Sequence, residues 1–280
     1  MADVVLITGA SEGIGRATAF TFARGGYRLA LAARTAETLR QTAIELEQSL
    51  NAEVLAVPTD VTQPEQVQNL VERTLERYGR IDCLINNAGI CLKGPFLQTT
   101  LEHWQALMAV NFWGYLYTIR AVLPDMLKRK KGQIINVGSV GGKMPLPQMS
   151  AYCASKYAVS GLTEALRLEL QPHGIQVIGV HPGIVSSNFL KRAIFLDEGG
   201  PESSPDGQSQ ASGGKAREQM QQALESFWAS RPEEVAAAIW DAARQSKSEV
   251  VVGMAQWAVG AYALFPELVG PLLQRAAGRP

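Results

Sequence analysis

The chain has 280 residues, of which 46% are apolar and 19% charged, and its 26 basic side chains balance 26 acidic ones. That length suits one large α/β domain or two small ones, and the composition is that of an ordinary globular protein. A net charge of zero leaves no global field to attract nucleic acid. Three cysteines without paired spacing, Cys83, Cys91 and Cys153, fit free thiols in a reducing compartment rather than a disulfide framework or a metal cluster.

The opening residues, MADVVLITGA, lack a basic region followed by a long apolar stretch and a cleavage site. No secretory leader is therefore predicted, and a cytoplasmic location is expected. From there short apolar runs alternate with longer helical patterns: DVVLITG, RLALAAR, AEVLAVPTD, IDCLINNAG, GQIINVGS, IQVIGVHPG and SEVVVG. These seven candidate strands are continuous apolar runs separated by helix-length segments, the pattern of a parallel sheet buried on both faces. Right-handed crossovers then predict a single Rossmann-type doubly wound α/β domain over residues 1–280, a seven-stranded parallel sheet with helices on both faces.

The first run passes into TGASEGIG, which sets Gly9, Gly13 and Gly15 at Gly-x-x-x-Gly-x-Gly spacing ahead of the helix RATAFTFARGG. Glycine suits a turn that needs positive φ and a backbone that approaches a diphosphate closely, while the next helix offers unpaired N–H groups and a positive dipole end. Ser11 and Ile14 lie in the same loop and are expected to line the cofactor. The spacing differs from a phosphate loop ending in Gly-Lys-Ser/Thr, which argues against a nucleoside triphosphatase and for a dinucleotide.

After the second run the sequence reads LAARTAET. An acidic side chain there would bind the adenosine ribose of NAD, and a cation would accept the 2′-phosphate of NADP. Arg34, with Thr35 as an additional donor, therefore predicts NADP(H), although the charge of Glu12 inside the glycine loop opposes a nearby phosphate. Further on, TQPEQVQNLVERTLERYG predicts a helix with Thr62 as N-cap, Pro64 in the first turn and Gly79 just past the end.

Four later features complete a pattern: NNAG at residues 86–89, Asn111 in MAVNFWG, Ser139 after the fifth run, and Tyr152 and Lys156 in YCASK. With the glycine loop, they make the whole chain resemble the short-chain dehydrogenase/reductase family. The resemblance implies an NAD(P)-dependent oxidoreductase interconverting a carbonyl and an alcohol, with Asn111, Ser139, Tyr152 and Lys156 catalytic. Tyr152 and Lys156 are four residues apart, on one helical face. An ordinary tyrosine, with a pKa near ~10, needs a neighbouring ammonium to exchange protons at neutral pH, and Lys156 is expected to supply it while also binding the nicotinamide ribose.

By the same resemblance Asp60 and Val61 contact adenine, while Asn86, Asn87, Ala88 and Gly89 line the cofactor. Pro182, Gly183 and Val185 follow the sixth strand, and Ser187 stands where a threonine commonly binds the nicotinamide carboxamide. His181, where asparagine is common, reads as a packing variation. Specificity is expected to come from a flap at about 188–230 and from GGKMPLPQM before Tyr152. Phe189, Leu190, Ile194, Phe195, Met144, Leu146, Met149, Phe227 and Trp228 would give it a greasy wall suited to a bulky hydrophobic ketone or aldehyde.

Inside the flap, residues 197–215 are rich in Gly, Ser and Pro and read as a long loop. Val137 stands where a Gly-x-Ser-x-Gly elbow would need its first glycine, and the three histidines, His103, His173 and His181, support neither a hydrolase triad nor a metal site. The alternative of another class is a non-catalytic NADP(H) sensor or interaction protein on the same fold.

Residues 250–266 carry no charge, but Pro266 and Glu267 interrupt the stretch, leaving an apolar helix expected at about 254–276. It falls short of the ~20 apolar residues of a membrane span. Burial in the core or in a subunit interface is the expectation, with a peripheral membrane contact as the alternative. A homodimer or homotetramer through residues 101–130 and 150–173 is implied by the family resemblance.

Overall fold

The computed structural model describes residues 2–186, 193–196 and 229–276, with side chains as far as 273. All seven expected runs form strands: β1 (Val4–Thr8), β2 (Arg28–Ala33), β3 (Val54–Pro58), β4 (Cys83–Asn86), β6 (Gly132–Val137), β7 (Ile175–His181) and β9 (Glu249–Val251). They make one parallel sheet in the order β3-β2-β1-β4-β6-β7-β9. Two short strands unforeseen in the sequence, β5 (Leu92–Lys93) and β8 (Ile194–Phe195), pair in parallel beside it.

Alternation along the strands explains the two-sided core. Val5 and Ile7 of β1, Leu29 and Leu31 of β2, and Ile178 and Val180 of β7 face helices α1 (Gly13–Arg24), α2 (Ala36–Leu50) and α7 (Pro232–Gln245). The interleaved Leu6, Ala30 and Val177 face α3 (Pro64–Tyr78), α5 (Gly114–Arg129) and α6 (Ser150–Leu170). Successive strand side chains point to opposite faces, so a strand buried on both sides reads as the unbroken apolar run seen in the sequence.

The chain builds outward from β1 to β2 and β3, then returns to β4 on the other flank. This reversal opens a crevice at the C-terminal ends of β1 and β4, the place where open α/β sheets bind ligands. The glycine loop, residues 86–89, Ser139 and Pro182–Gly183 all follow strand ends on that edge.

Helix α4 (Leu101–Met108) continues through a π-helical stretch, Ala109–Trp113, into α5. Leu101–Arg129 is the one segment among the described residues long and apolar enough to cross a membrane by length and composition. Ile119, Val122 and Met126 nevertheless pack on the sheet, as a core helix does.

Two expectations are corrected. The N-cap of α3 is Gln63, not Thr62. The Thr62 amide and hydroxyl both donate to Asp60 Oδ1, at 2.9 and 2.8 Å, which holds Thr62 in the preceding turn. The C-terminal apolar helix is two helices, α8 (Ala255–Leu264) and α9 (Pro266–Ala276), divided at Phe265 because a helix ends before a proline. Core burial does not occur there: α8 buries no residue, and Trp257 and Leu264 are 69% and 74% exposed.

Candidate active site

Gly9 and Gly13 have φ of +65° and +54°, the left-handed region that favours glycine. A Cβ on Gly9 would lie 2.9 Å from Ala88 Cα, and one on Gly15 would lie 2.2 Å from the Gly9 carbonyl oxygen. The loop is therefore folded tightly over residues 87–89. Thr8 and Asn87 tie the two together: the Asn87 and Ala88 amides donate to Thr8 Oγ1 at 3.0 and 3.1 Å, and Asn87 Nδ2 donates to the carbonyls of Thr8 and Gly9 at 3.0 and 3.2 Å.

Helix α1 begins at Gly13 with no side-chain cap and no acidic residue in its first turn. Its first N–H groups and positive dipole end thus suit a diphosphate. Ser11 is buried and Ile14 half-buried within the loop. Arg34 is exposed directly after β2, and no acidic residue follows it before Glu37. Val61 is buried against Gly114. Asp60 has one carboxylate oxygen engaged by Thr62, and its amide donates to Gln66. Asn86 turns away from the crevice: it is fully buried, donating to Asn136 Oδ1 at 3.0 Å and accepting from Thr118 Oγ1 at 2.6 Å.

Asn111, Ser139, Tyr152 and Lys156 are all buried at this end of the sheet. The π-helical stretch carries Asn111, whose Nδ2 donates to Ile90 O at 3.0 Å and Ser155 Oγ at 2.9 Å, while its Oδ1 accepts from the Ile90 amide at 2.9 Å. Asn111 Oδ1 and Lys156 Nζ flank Gly89, where a Cβ would lie 3.3 and 3.7 Å from them. Lys156 Nζ donates to Val137 O at 3.1 Å and lies 5.4 Å from the centre of the Tyr115 ring. Ser139 Oγ accepts from the Gly141 amide at 3.1 Å, and the Tyr152 ring packs over the same Gly141.

The residues missed in the sequence are those that hold others. The Ser155 hydroxyl links Asn111 to the Tyr152 carbonyl, to which it donates at 2.7 Å. The Tyr115 hydroxyl donates to the same Val137 carbonyl that Lys156 uses, at 2.9 Å. Ser155 lies three residues after Tyr152, and that spacing is the only signal the sequence offers for it.

Burial moves both members of the Tyr152–Lys156 pair toward neutrality. Tyr152 is held above its ordinary range by desolvation first and then by the neighbouring Cys91, while its hydrogen bond with Ser139 pulls the other way. Lys156 is lowered to about 8, again by desolvation. Cys91 and Cys153, both pushed up by burial, are unreactive thiols in this wall.

Cys91, Leu92, Leu146, Met149 and Ile194 surround Tyr152 in one apolar cluster. The pairing of β5 with β8 brings Ile194 and Phe195 there. Met144 is buried nearby in the chain. Pro182 O accepts from the Val140 amide at 2.9 Å, Gly183 abuts Ala255, and Val185 forms an isolated parallel bridge with Ser230. Ser187, Phe189, Leu190, Phe227, Trp228 and residues 197–215 lie outside the described residues. Among the described residues no group of three or more His, Cys, Asp or Glu side chains could hold a metal ion.

The family model described as short chain dehydrogenase matches residues 3–195. The chain belongs to the short-chain dehydrogenase/reductase family. It is 40% identical over 184 residues to an uncharacterised oxidoreductase of Staphylococcus saprophyticus, covering 66% of this chain and 79% of that protein. It is 37% identical over 190 residues to a 3-oxoacyl-[acyl-carrier-protein] reductase of Synechocystis, covering 68% and 77%. To dehydrogenase/reductase SDR family member 7B of Bos taurus it is 35% identical over 199 residues, spanning 69% of this chain and 61% of the relative.

Among solved structures, a short-chain dehydrogenase/reductase from Burkholderia phymatum in complex with NAD superposes with a TM-score of 0.84 at 30% identity, covering 95% of both chains. The alcohol dehydrogenase of Thermococcus sibiricus complexed with 5-hydroxy-NADP gives 0.73 at 27% identity, covering 91% of this chain and 97% of that one. This short-chain dehydrogenase is thus an oxidoreductase whose relatives bind a nicotinamide dinucleotide, and the tight glycine loop and the uncapped start of α1 fit such a group.

The depressed Lys156 yields a stability prediction. Its folded pKa lies below the unfolded value, so the buried ammonium destabilises the fold below about pH 8, and the cost fades as pH rises from there toward the unfolded pKa of 10.5. Lys156→Met, of similar length, is expected to raise Tm by about 5 °C at pH 7. The gain should shrink steadily above pH 8, as read by calorimetry of both proteins from pH 6 to 10. A variant less stable than the parent at pH 7 contradicts it.

Proposed function

We propose that this short-chain dehydrogenase interconverts a bulky hydrophobic ketone or aldehyde and its alcohol with NADP(H), using Tyr152 as general acid and base. The whole chain acts as one catalytic domain in this reading. The observation that carries it is the burial of Asn111, Ser139, Tyr152 and Lys156 together at this end of the sheet, with Asn111 and Lys156 flanking Gly89. Gly9, Ser11, Gly13, Ile14 and Gly15 would hold the diphosphate, Asp60 and Val61 the adenine, and Asn87, Ala88, Gly89, Pro182, Gly183, Val185 and Ser187 the remainder. When bound, the nicotinamide supplies or accepts a hydride.

In the reductive direction Tyr152 gives its phenolic proton to the substrate oxygen as negative charge grows there, and Ser139 hydrogen-bonds the same oxygen. The tyrosinate left behind is costly in an apolar wall. Lys156, one turn further along α6, is the nearest cation on that helical face to stabilise it. Asn111, held by Ile90 and Ser155, backs the lysine in proton return. The apolar cluster around Tyr152 supports a hydrophobic substrate.

NADP(H) is favoured by Arg34, exposed after β2 and without an ion-pair partner among the described residues. The two consecutive helices α8 and α9 further support a homo-oligomer, with a second copy of the chain covering them. Residues 250–266 hold no charge and α8 presents Trp257 and Leu264, a composition suited to an interface core. A helix lying on anionic lipid would carry Lys or Arg along its polar face, and α8 has neither.

Three measurements test this reading. Tyr152→Phe should lower carbonyl reduction by about 10²-fold or more on the best substrate of a ketone panel, and equal rates would refute the mechanism. Arg34→Ala should raise KM for NADPH by about tenfold while leaving KM for NADH nearly unchanged, and a parent enzyme that prefers NADH would overturn the cofactor choice. A chain ending at residue 253 should lose subunits in light scattering. Unchanged size together with lost pelleting on anionic vesicles would assign the C-terminal helices to lipid instead.

A further inference from the structure

We propose that His181 is a positioning residue whose imidazole, anchored by Glu249, clamps the Ser139 turn to the Pro182–Gly183 turn and so sets the substrate-facing edge of the site. It is not a mere packing variation. The ring is 2% exposed and sits in a slot formed by glycines of two adjacent strand ends. A Cβ on Gly138 would lie 2.5 Å from its Nδ1, and one on Gly179 would lie 2.8 Å from its Nε2. Only the absence of both side chains admits the ring.

The anchor comes from the far side. His181 Nε2 lies 3.2 Å from Glu249 Oε1, and Glu249 on β9 also pairs with Lys143, just past the Ser139 turn, and lies 4.0 Å from Arg167 on α6. Lys143 reaches Glu164 of α6 at 2.7 Å as well. The Glu249 carboxyl is held down to about 2, first by its bond with His181 and then by Lys143, and so accepts as a carboxylate. His181 Nδ1 has no partner among the described residues, so all of the ring's polar anchoring runs through Glu249.

Backbone bonds converge on the same point. The Gly138 amide donates to Val180 O at 2.7 Å, the Val140 amide to Pro182 O at 2.9 Å, and the Val252 amide to His181 O at 3.0 Å. The side chain thus braces from one side two turns that meet through a single backbone bond on the other. Released from Glu249, the ring could leave its slot, and only the backbone bonds Gly138–Val180 and Val140–Pro182 would be left to define the distance between Ser139 and the Pro-Gly turn.

The test is amide hydrogen exchange on the full chain of His181→Ala, His181→Gln and Glu249→Ala. Exchange of residues 138–144 and 182–186 should speed about tenfold in the two alanine variants while β1 keeps parental protection. Gln, which can place an amide donor near the position of Nε2, should restore much of it. Parental protection of both turns in His181→Ala, or a Gln variant as loose as Ala, overturns the clamp. Because Glu249 is on an edge strand, its variant decides the matter if His181→Ala does not fold.

A kinetic arm rests on the proposed function. Both alanine variants should lose about tenfold in kcat with KM for the carbonyl little changed, and Gln should recover it. Parental kcat with loosened turns would refute the positioning role. A parent protein that turns over no carbonyl or alcohol would sink the proposed function, leaving the exchange result to decide the clamp.

Discussion

Helix α6, which carries Tyr152 and Lys156, is held by a line of buried amides and hydroxyls running across the sheet. Thr118 donates to Asn86 Oδ1, Asn86 to Asn136 Oδ1 at 3.0 Å, Asn136 to Thr163 Oγ1 at 2.9 Å, and Thr163 to Val159 O at 2.6 Å. The line joins α5, β4, β6 and α6 in an apolar interior, where a donor left without a partner would cost far more than an ordinary hydrogen bond yields. Sliding α6 by one residue would break the Asn136–Thr163 bond that ties it to the sheet. Tyr152 and Lys156 therefore inherit their position from polar groups one to three turns away along the helix.

The π-helical stretch solves a second geometrical problem. Its extra residue rotates Asn111 relative to a regular helix, and there the side chain closes a reciprocal pair of hydrogen bonds with the Ile90 backbone. The segment following β4 is thereby fixed beside Gly89. Since Cys91 and Leu92 come next, the same contact starts both the apolar wall around Tyr152 and the short strand that receives Ile194 and Phe195. The position of Asn111 and the apolar wall around Tyr152 are thus set by one local departure from helical geometry.

What could be read in advance follows from the period of each signal. Continuous apolar runs such as VVLIT declare buried parallel strands, and Gly9 and Gly13 follow from spacing along one turn, whereas Tyr152 and Lys156 are legible through the family resemblance. Contacts between elements leave no such trace. Thr8, Ser155 and Tyr115 are ordinary residues until folding places their hydroxyls beside Asn87, Asn111 and Val137. Thr62 was misread as a cap because its hydroxyl competes for Asp60, a local bond of comparable strength. The C-terminal apolar stretch was expected to be covered, and hydrophobicity alone does not say by what.

The electrostatics of the pair follow from the same burial that shapes the pocket. A wall of Cys91, Leu92 and Met149 favours substrates that leave water readily, and it also penalises a tyrosinate and an ammonium alike. With Lys156 lowered to about 8 and Tyr152 raised, neutral phenol is the resting form at pH 7, which is the form required to donate a proton to a carbonyl oxygen. The reverse reaction must first ionise the phenol against that penalty. Under the proposed mechanism Lys156, tied to the Val137 carbonyl, would have to turn its ammonium toward Tyr152 to balance a tyrosinate there.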